Sequence, residues 1–311
     1  TRDLGVSALW IKDESRNPTA SFKDRASAVV VARARQINAQ MVVTSSSGNA
    51  GAALAGMAAA IGQPATVFVP KAAPAAKVAQ LLVYGAQVFL VDGNYDAAYE
   101  LSQQAANEFG WYCRNTGYNP FTLEGKKTAA FEIWEMVMAD LPEGTTLSIF
   151  VSVGDGNIIA GLHKGFKDLQ TLGWLDQMPR IYGIQAENSA AIANAFQNHT
   201  ENIEAVQAAT VADSISVDFP RDGVRALRAA TQTGGAYLTV TDAEIIAAIA
   251  GLGPHGIFAE PAGAAAFAGY RKALSTGVIS PERPALVINT GSGLKDVRAA
   301  MQAVAPAPIV A

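Results

Sequence analysis

Cysteine and histidine, the residues from which most metal and thiol sites are built, are nearly absent from this sequence. Its 311 residues include one cysteine, Cys113, and three histidines that show no ligand spacing. One cysteine cannot form an internal disulfide or supply a thiolate cluster for zinc or iron–sulfur. We therefore predict no resident metal, a reducing compartment such as the cytoplasm, and a role for Cys113 as a small buried hydrophobic side chain.

An excess of positive charge and a long apolar run are absent as well. The chain has 23 Lys and Arg against 27 Asp and Glu, a net charge of -4, and so offers no basic surface for a nucleic acid or an anionic lipid. The longest uncharged stretch, Gln36 to Pro70, is interrupted by polar residues and proline, whereas a membrane helix needs about 20 consecutive apolar residues. No charged-then-apolar leader follows Thr1, which argues against a signal peptide. We expect a soluble protein without nucleic-acid or membrane partners.

What the sequence does contain is an alternation of short β-branched or aromatic runs with longer alanine-rich amphipathic segments. This pattern is typical of an α/β fold, in which helices join the strands of a parallel sheet. We predict strands at residues 9–12, 41–44, 65–69, 87–91, 147–153, 180–185 and 285–289. We predict helices after Lys23, Asn49, Ala75, Tyr95, Glu124, Asn157, Asn188, Asp222, Thr241, Pro261 and Lys295. No linker rich in serine or proline divides the chain, so two domains would have to interleave.

The first of four polar loops expected at the carboxyl ends of strands runs from Asn17 to Arg25, before a helix predicted at residues 26–36. Ligands of open parallel sheets bind at this edge, because helix N-termini bring amide N–H groups together there. A lysine at a helix N-terminus is disfavoured by the helix dipole by about 0.3–1 kcal/mol. Lys23 is therefore a candidate Schiff-base nucleophile. The alternative is a solvated lysine beside Asp24.

The second loop, Thr44 to Gly51, collects hydroxyl and amide side chains at the start of an apolar helix. Its polar core is Ser45, Ser46, Ser47, Gly48 and Asn49. Such a loop can form a nest for a small anion such as a substrate carboxylate, and Asn49 can donate to a ring oxygen. Ordinary helix N-caps are the alternative, but they account for only some of these residues.

The third loop follows the strand predicted at residues 147–153 and contains Gly154, Asp155, Gly156 and Asn157. Glycine lets backbone amides approach a phosphate closely. Ile159 stands where a dinucleotide-binding fingerprint needs a third glycine, and no Gly-Lys-Ser or Gly-Lys-Thr of a Walker loop follows. Two interpretations stay open, namely a cup for one phosphate monoester and a plain tight turn.

The fourth loop begins with Thr290, directly after the strand predicted at residues 285–289. Its hydroxyl can meet a heterocyclic nitrogen, or it can belong to an ordinary turn. Taken together, the four loops offer a lysine for an imine, an amide for a ring oxygen, glycines for one phosphate and a hydroxyl for a ring nitrogen. These are the contacts that pyridoxal 5'-phosphate requires.

These segments resemble the fold-type II pyridoxal-phosphate enzymes, also called the tryptophan synthase β group, and within that group the threonine synthases. The resemblance spans nearly the whole chain and is carried by residues 17–25 with the core Ser21-Phe22-Lys23-Asp24-Arg25, 46–49, 119–120, 124–128, 213–223, 260–262 and 290–296. It implies two open, twisted, mostly parallel sheets flanked by helices, with the cofactor in the cleft between two domains. The large domain would comprise residues 1–39 and 131–311, and the small domain, residues 40–130, would be inserted in it.

The resemblance also assigns roles to individual residues. It implies that Lys23 is the catalytic lysine that forms the imine with pyridoxal 5'-phosphate and that Asn49 contacts the ring hydroxyl. It further implies that Gly154, Asp155, Gly156 and Asn157 hold the cofactor phosphate and that Thr290 meets the pyridine nitrogen. The predicted substrate-binding residues are the anion nest Ser46, Ser47 and Gly48 and, from the resemblance alone, Lys77, Asn115 and Thr116, with Lys126 as a further candidate.

The implied activity is that of a pyridoxal-phosphate-dependent lyase, a homodimer that converts O-phospho-L-homoserine and water into L-threonine and phosphate. The chain departs from the threonine synthase pattern at Thr122-Leu123, where an arginine usually grips the substrate phosphate, and at Ser292, where histidine is favoured. The first departure supports an alternative small-amino-acid enzyme, a β-replacement or β-elimination enzyme of the cysteate synthase or serine/threonine dehydratase type. A catalytically silent binding module with the same fold is the alternative from another class.

Overall fold

The computed structural model describes residues 5–309 of the chain. The chain divides into two units: residues 16–128 form the smaller one, and the larger one contains the segment that ends at residue 15 and the segment that begins at residue 129. Helices and strands are numbered along the whole chain.

A four-stranded sheet forms the centre of the smaller unit. Its strands are β2 (Val42–Ser45), β3 (Ala65–Pro70), β4 (Gln87–Val91) and β5 (Tyr112–Cys113). Its helices are α1 (Lys23–Gln36), α2 (Asn49–Ala60), α3 (Ala75–Val83), α4 (Tyr95–Phe109) and α5 (Phe121–Lys126). The strand order is β4-β3-β2-β5, and every pair is parallel. Because side chains alternate across a strand, Val42 packs with α1 and α2, whereas Val43 packs with α4.

Helix α1 packs against α2 and α5. Gly125 of α5 lies so close to α1 that a side chain there would overlap the Arg25 carbonyl. Beside this contact, the Arg25 guanidinium donates a hydrogen bond to the Thr128 hydroxyl at 2.9 Å. These contacts group residues 16–39 with the smaller unit, whereas we expected that unit to begin at residue 40.

The larger unit contains a five-stranded sheet. Its strands are β1 (Leu9–Asp13), β6 (Ser148–Ser152), β7 (Arg180–Ala186), β8 (Tyr237–Val240) and β9 (Ala285–Asn289). Its helices are α6 (Thr128–Met136), α7 (Asn157–Thr171), α8 (Ala191–Gln197), α9 (Gly223–Thr231), α10 (Asp242–Leu252), α11 (Pro261–Ser275) and α12 (Val297–Gln302). The strand order is β1-β9-β6-β7-β8, and all pairs are parallel.

The core of the larger unit lies between its sheet and the small residues of α11. Gly269 of α11 packs directly on Ile184 of β7, so the helix backbone approaches the sheet closely. Phe150 of β6 stacks on Tyr182 of β7 with ring centroids 4.7 Å apart, and Tyr270 meets the same ring edge-on. This packing fixes β6, and the loop with the candidate site residues Gly154 to Asn157 begins at its end.

The predicted α/β class is confirmed, and all seven predicted strands are present. The sequence pattern did not predict β5, because its two residues are too few to show a period. It did not predict β8 either, whose four residues run directly into the N-terminus of α10. Within the described part of the chain, every helix is too short or too polar to span a lipid bilayer.

Parallel pairing places the carboxyl ends of all strands of a sheet at one edge. In the smaller unit this edge carries the loop after β2 and the segment after β5, which begins with Arg114. In the larger unit it carries the loop after β6, at residues 153–156, and the loop after β9, which begins with Thr290. Ser46 to Asn49 and Asn115 thus lie at one edge of the smaller unit's sheet, and residues 154–157 and Thr290 lie at one edge of the larger unit's sheet, whereas Lys23 follows β1 in the chain.

Candidate active site

Lys23 is half-buried and is the first residue of α1. The loop before it turns at Ala20, whose φ of 66° is left-handed, a conformation that costs a non-glycine residue about 1–2 kcal/mol. A hydrogen bond from the Ala20 N–H to the Asn17 carbonyl, 2.7 Å long, holds this turn. Asp24 is buried, and its carboxylate accepts hydrogen bonds from the Thr19 hydroxyl and, at 2.7 Å, from the Thr19 N–H. The Lys23 side chain therefore starts from a backbone that is held by several hydrogen bonds.

The loop between β2 and α2 contains the residues predicted to form an anion nest. The Ser46 carbonyl lies where a Cβ on Gly51 would be, and the Ser46 hydroxyl accepts a hydrogen bond from the Gly48 N–H at 3.2 Å. No side chain within residues 5–309 caps α2, whose N-cap is Gly48. Its first-turn N–H groups are thus positioned for an acceptor from outside the helix. The buried Ser45 hydroxyl has no hydrogen-bond partner in the described chain, which adds another donor at this place.

Asn115, a predicted substrate contact, is buried and hydrogen-bonded within the smaller unit. Its Oδ1 accepts hydrogen bonds from the Thr44 hydroxyl at 3.0 Å and from the Ser45 N–H at 2.9 Å. Its Nδ2 donates to the Ser102 hydroxyl on α4 at 2.9 Å. These bonds fix the loop after β2 to the segment after β5. The amide of Asn115 therefore supports the loop that carries Ser46.

Arg114 is a buried residue that the sequence pattern did not single out. Its side chain is 1% exposed. The Nε atom donates to the Ser27 hydroxyl, one turn beyond Lys23 on α1, and Nη1 donates to the Thr116 hydroxyl, each at 3.3 Å. A guanidinium has no acceptor, so both hydroxyls must accept, and their own protons point elsewhere. In the sequence, Arg114 directly precedes Asn115 and Thr116, which are predicted substrate contacts. This position could have identified it.

The remaining candidates of the smaller unit differ in their surroundings. Thr122, at the position of the expected arginine, is buried, and its hydroxyl donates to the Asn119 carbonyl at 2.7 Å. Lys126 is completely buried at the end of α5. Lys77 is half-buried in the first turn of α3, and Thr116 and Ser47 are also half-buried. Cations are therefore present near the end of α5 and on α3, but Thr122 itself supplies none.

The loop after β6 in the larger unit forms a cup of backbone atoms. Gly156 has a φ of 88°, and a Cβ on it would lie 2.6 Å from the Cβ of Ala226. A Cβ on Gly154 would lie 2.9 Å from the Cα of Ile215. In the described chain no side chain caps α7, which begins directly after this loop. We call residues 154–157 the phosphate cup after the role that the sequence predicts for them, since glycines at a helix N-terminus offer several N–H groups to one anion.

Thr290 is buried at the end of β9, and the turn after it is held against α11. The Glu260 carboxylate lies where a Cβ on Gly291 would be, and the Glu260 N–H donates to the Gly291 carbonyl at 3.0 Å. The Ser292 hydroxyl accepts a hydrogen bond from the Leu294 N–H at 3.3 Å. Ser292 thus caps the short 3-10 helix that follows, at the position where the resemblance favours histidine.

Neither His163 nor Cys113 has the properties of a catalytic group. Burial, with a smaller effect of the charge on Lys167, lowers the pKa of His163 to about 4. Burial also raises the pKa of the Cys113 thiol, so it stays protonated and packs against α4, as predicted from the sequence. The described residues contain no cluster of three or more His, Cys, Asp or Glu side chains that could hold a metal ion.

The residues of each unit fit part of a pyridoxal 5'-phosphate molecule. In the larger unit, the phosphate cup packs closely on Ile215 and Ala226 because Gly154 and Gly156 carry no Cβ, and the buried Ser152 hydroxyl at the end of β6 lacks a hydrogen-bond partner within residues 5–309. In the smaller unit, Lys23 begins α1, and the uncapped N-terminus of α2 follows β2. A lysine amine, the backbone N–H groups of a glycine-containing loop and a hydroxyl are the groups with which this cofactor is bound.

Comparison with known proteins agrees with this interpretation. The family described as pyridoxal-phosphate dependent enzymes matches residues 1–291, and the chain belongs to that family. Within it, threonine synthases are among the sequence relatives. That of Methanocaldococcus jannaschii is 38% identical over 305 residues, which cover 97% of this chain and 74% of that protein. That of Halalkalibacterium halodurans is 34% identical over 312 residues, which cover 100% of this chain and 84% of that protein.

Solved structures show the same fold at lower sequence identity. The processed form of threonine deaminase isoform 2 from Solanum lycopersicum aligns with a TM-score of 0.81 at 21% identity, over 97% of this chain and 83% of that one. Maize serine racemase aligns with a TM-score of 0.76 at 22% identity, over 93% and 84% of the two chains. At these identities the similarity concerns the fold alone, and it confirms the predicted fold-type II architecture.

Proposed function

We propose that this chain is a threonine synthase, a pyridoxal-phosphate-dependent lyase that converts O-phospho-L-homoserine and water into L-threonine and phosphate. The observation that carries the proposal is the 38% identity to the Methanocaldococcus jannaschii threonine synthase across 97% of this chain. The cofactor of the family, pyridoxal 5'-phosphate, agrees with the donor groups described above.

For the cofactor, the proposal assigns the Lys23 amine to the aldehyde, the phosphate cup to the phosphate, Asn49 to the ring hydroxyl and Thr290 to the ring nitrogen. The cofactor, when bound, supplies an electron sink for the bond that the substrate breaks at its α carbon. Thr290 is neutral, so it does not hold a proton on the ring nitrogen as a carboxylate would. The uncapped N-terminus of α7 supports the assignment of the cup.

For the substrate, the proposal assigns the N-terminus of α2, with Ser46, Ser47 and Gly48, to the α-carboxylate. Lys77 and Thr116 are assigned to the substrate phosphate, and Asn115 supports the loop between these groups. Lys23, once its amine is released by the substrate, removes the α proton and returns a proton later in the reaction. The half-buried positions of Ser46, Ser47 and Thr116 support these roles, because their hydroxyls are only partly covered by the chain.

A β-replacement or β-elimination enzyme is the second candidate, and Thr122 is the observation that favours it. Its hydroxyl is bound to the Asn119 carbonyl, so this position supplies no charge to a substrate phosphate. A substrate without a γ-phosphate would not need a positive charge at this position. The two candidates therefore predict different preferences for phosphorylated substrates.

The experiment is a substrate comparison with purified protein and added pyridoxal 5'-phosphate. O-phospho-L-homoserine, O-phospho-L-serine and L-threonine are offered separately, and phosphate, threonine and 2-oxoacids are measured. We expect phosphate and threonine in equal amounts from the first compound and no turnover of the other two. Turnover of O-phosphoserine or threonine, with none of O-phosphohomoserine, would establish the second candidate instead.

Homodimer formation, implied by the resemblance, and a cytoplasmic location, expected from the single cysteine, stay predictions. Light scattering coupled to size-exclusion chromatography tests the first. Fractionation of the source cells tests the second.

A further inference from the structure

The segment between residues 213 and 223, one of the motifs that carried the resemblance, has no role in the assignments above. In the larger unit it packs directly on the phosphate cup. The Cβ that Gly154 lacks would lie 2.9 Å from Ile215 Cα, and the one that Gly156 lacks would lie 3.0 Å from the Asp222 carbonyl oxygen. The cup therefore takes its shape against this segment.

Backbone hydrogen bonds join the same two pieces of chain. The Asp222 N–H donates to the Asp155 carbonyl at 2.9 Å, and the Arg221 N–H donates to the Asp155 carboxylate at 3.3 Å. The central residue of the cup is thus held at both its carbonyl and its side chain. A cup fixed in this way does not need to reorganise when an anion binds.

The Asp222 side chain makes the most direct contact. It is 2% exposed, and its Oδ2 accepts a hydrogen bond from Asn157 Nδ2 at 2.5 Å. Its Oδ1 accepts from Arg225 Nη1 at 2.8 Å, which offsets the negative charge. A carboxylate only accepts hydrogen bonds, so the NH₂ group of Asn157 must face Asp222. Asn157 is the first residue of α7, and fixing its side chain fixes the start of that helix.

We propose that Asp222 is a positioning residue for the cofactor phosphate: it orients Asn157 and thereby holds the backbone amides of the phosphate cup in place for a phosphate monoester. The proposal rests on the assignment of the cup to pyridoxal 5'-phosphate, but not on the identity of the amino-acid substrate. Asp222 itself is not assigned to the phosphate, because a carboxylate has no donor to offer to it, and its two oxygens are bound to Asn157 and Arg225.

The test compares two aldehydes that differ only in the phosphate. Apo-protein is titrated with pyridoxal 5'-phosphate and with pyridoxal, and binding is followed by quenching of tryptophan fluorescence. Asp222→Asn keeps the shape of the side chain and replaces a charge-assisted hydrogen bond by a neutral one. We expect the Kd for pyridoxal 5'-phosphate to rise about tenfold, while the Kd for pyridoxal stays unchanged. Asp218→Asn, an exposed carboxylate in the same segment, is the matched control and should change neither value.

A second variant, Asn157→Ala, removes the partner of Asp222. If Asp222 acts through Asn157, Asn157→Ala and the double variant should show the same selective loss, because removing both partners removes one shared interaction. Equal losses for the two aldehydes, unchanged binding of pyridoxal 5'-phosphate, or additive effects in the double variant would each overturn the proposal. The melting temperature of each apo-protein shows that it is folded. Because only binding is measured, a negative result in the threonine assay leaves this conclusion untouched.

Discussion

The side-chain oxygen of Asn115 accepts a hydrogen bond from the Ser45 N–H at 2.9 Å and thereby ties the segment after β5 to the end of β2. Asn115→Ala leaves this buried N–H and the Thr44 hydroxyl without their acceptor, which costs about 1–3 kcal/mol. Urea denaturation should show this loss of unfolding free energy, and KM for the amino-acid substrate should rise. Asn107→Ala, on an exposed face of α4, is the control and should change neither quantity.

Lys23 is predicted to be the lysine that binds the cofactor aldehyde. Reduction of the holo-protein with borohydride, followed by peptide mapping, should give a pyridoxyl group on Lys23. Lys23→Ala should take up no label and form no threonine. Lys272→Ala removes only a lysine that pairs with Glu244 on the larger unit, and it should label and react normally. A label on any other lysine would show that the assignment is wrong.

Arg114 is predicted to act through the Thr116 hydroxyl. Since its Nη1 donates to Thr116 Oγ1 at 3.3 Å, Arg114→Met frees that hydroxyl to rotate and removes a positive charge. We expect KM for O-phospho-L-homoserine to rise about tenfold, with a smaller change in kcat and partial recovery in Arg114→Lys. Arg35→Met on α1, whose guanidinium binds the Ile61 carbonyl at the surface, should leave KM unchanged. A tenfold fall of kcat with no change of KM would contradict this role.

Alanine substitutions at Gly156 and Gly173 distinguish the cost of a left-handed φ from the cost of a steric clash. Both have positive φ, but a Cβ on Gly173 meets nothing within 4 Å, whereas one on Gly156 meets Ala226 at 2.6 Å. Gly173→Ala should cost about 1–2 kcal/mol of unfolding free energy and leave cofactor affinity intact. Gly156→Ala should cost about 1–3 kcal/mol more and weaken pyridoxal 5'-phosphate binding. Calorimetry and cofactor titration of both variants measure the difference.

His163 predicts how stability depends on pH. Burial lowers its pKa from the ordinary 6.5 to about 4, so below pH 6.5 the unfolded chain binds a proton that the folded chain refuses. The unfolding free energy therefore keeps its full value above pH 6.5. It decreases by up to about 3 kcal/mol as the pH falls toward 4. His163→Gln should flatten the unfolding free energy between pH 7 and 4. Asn107→Gln, at an exposed position of α4 that does not titrate, should keep the wild-type slope.

The sequence was most informative where function depends on residues that are close in the chain. Helix starts at Lys23, Asn49 and Asn157 could be predicted, because turn residues and apolar runs lie side by side there. The family was identified from the same short segments.

Roles that depend on distant contacts could not be predicted. Arg114 binds Ser27 across 87 positions, and Asp222 binds Asn157 across 65. A pattern of neighbouring residues in the sequence does not indicate such distant pairs. The grouping of residues 16–39 with the smaller unit has the same origin, since it follows from the packing of α1 on α5.

The position of β1 at the edge of its sheet has a consequence for biosynthesis. Within residues 5–309, β1 pairs with β9 alone, and the Asp13 carboxylate at its end binds Asn289, 276 positions away. The ribosome therefore releases β1 long before its neighbour has been translated, whereas residues 16–128 can complete their own sheet early. During that interval the backbone N–H and C=O groups of β1 lack their partner strand. Truncated nascent chains should therefore bind chaperones through β1 until β9 emerges.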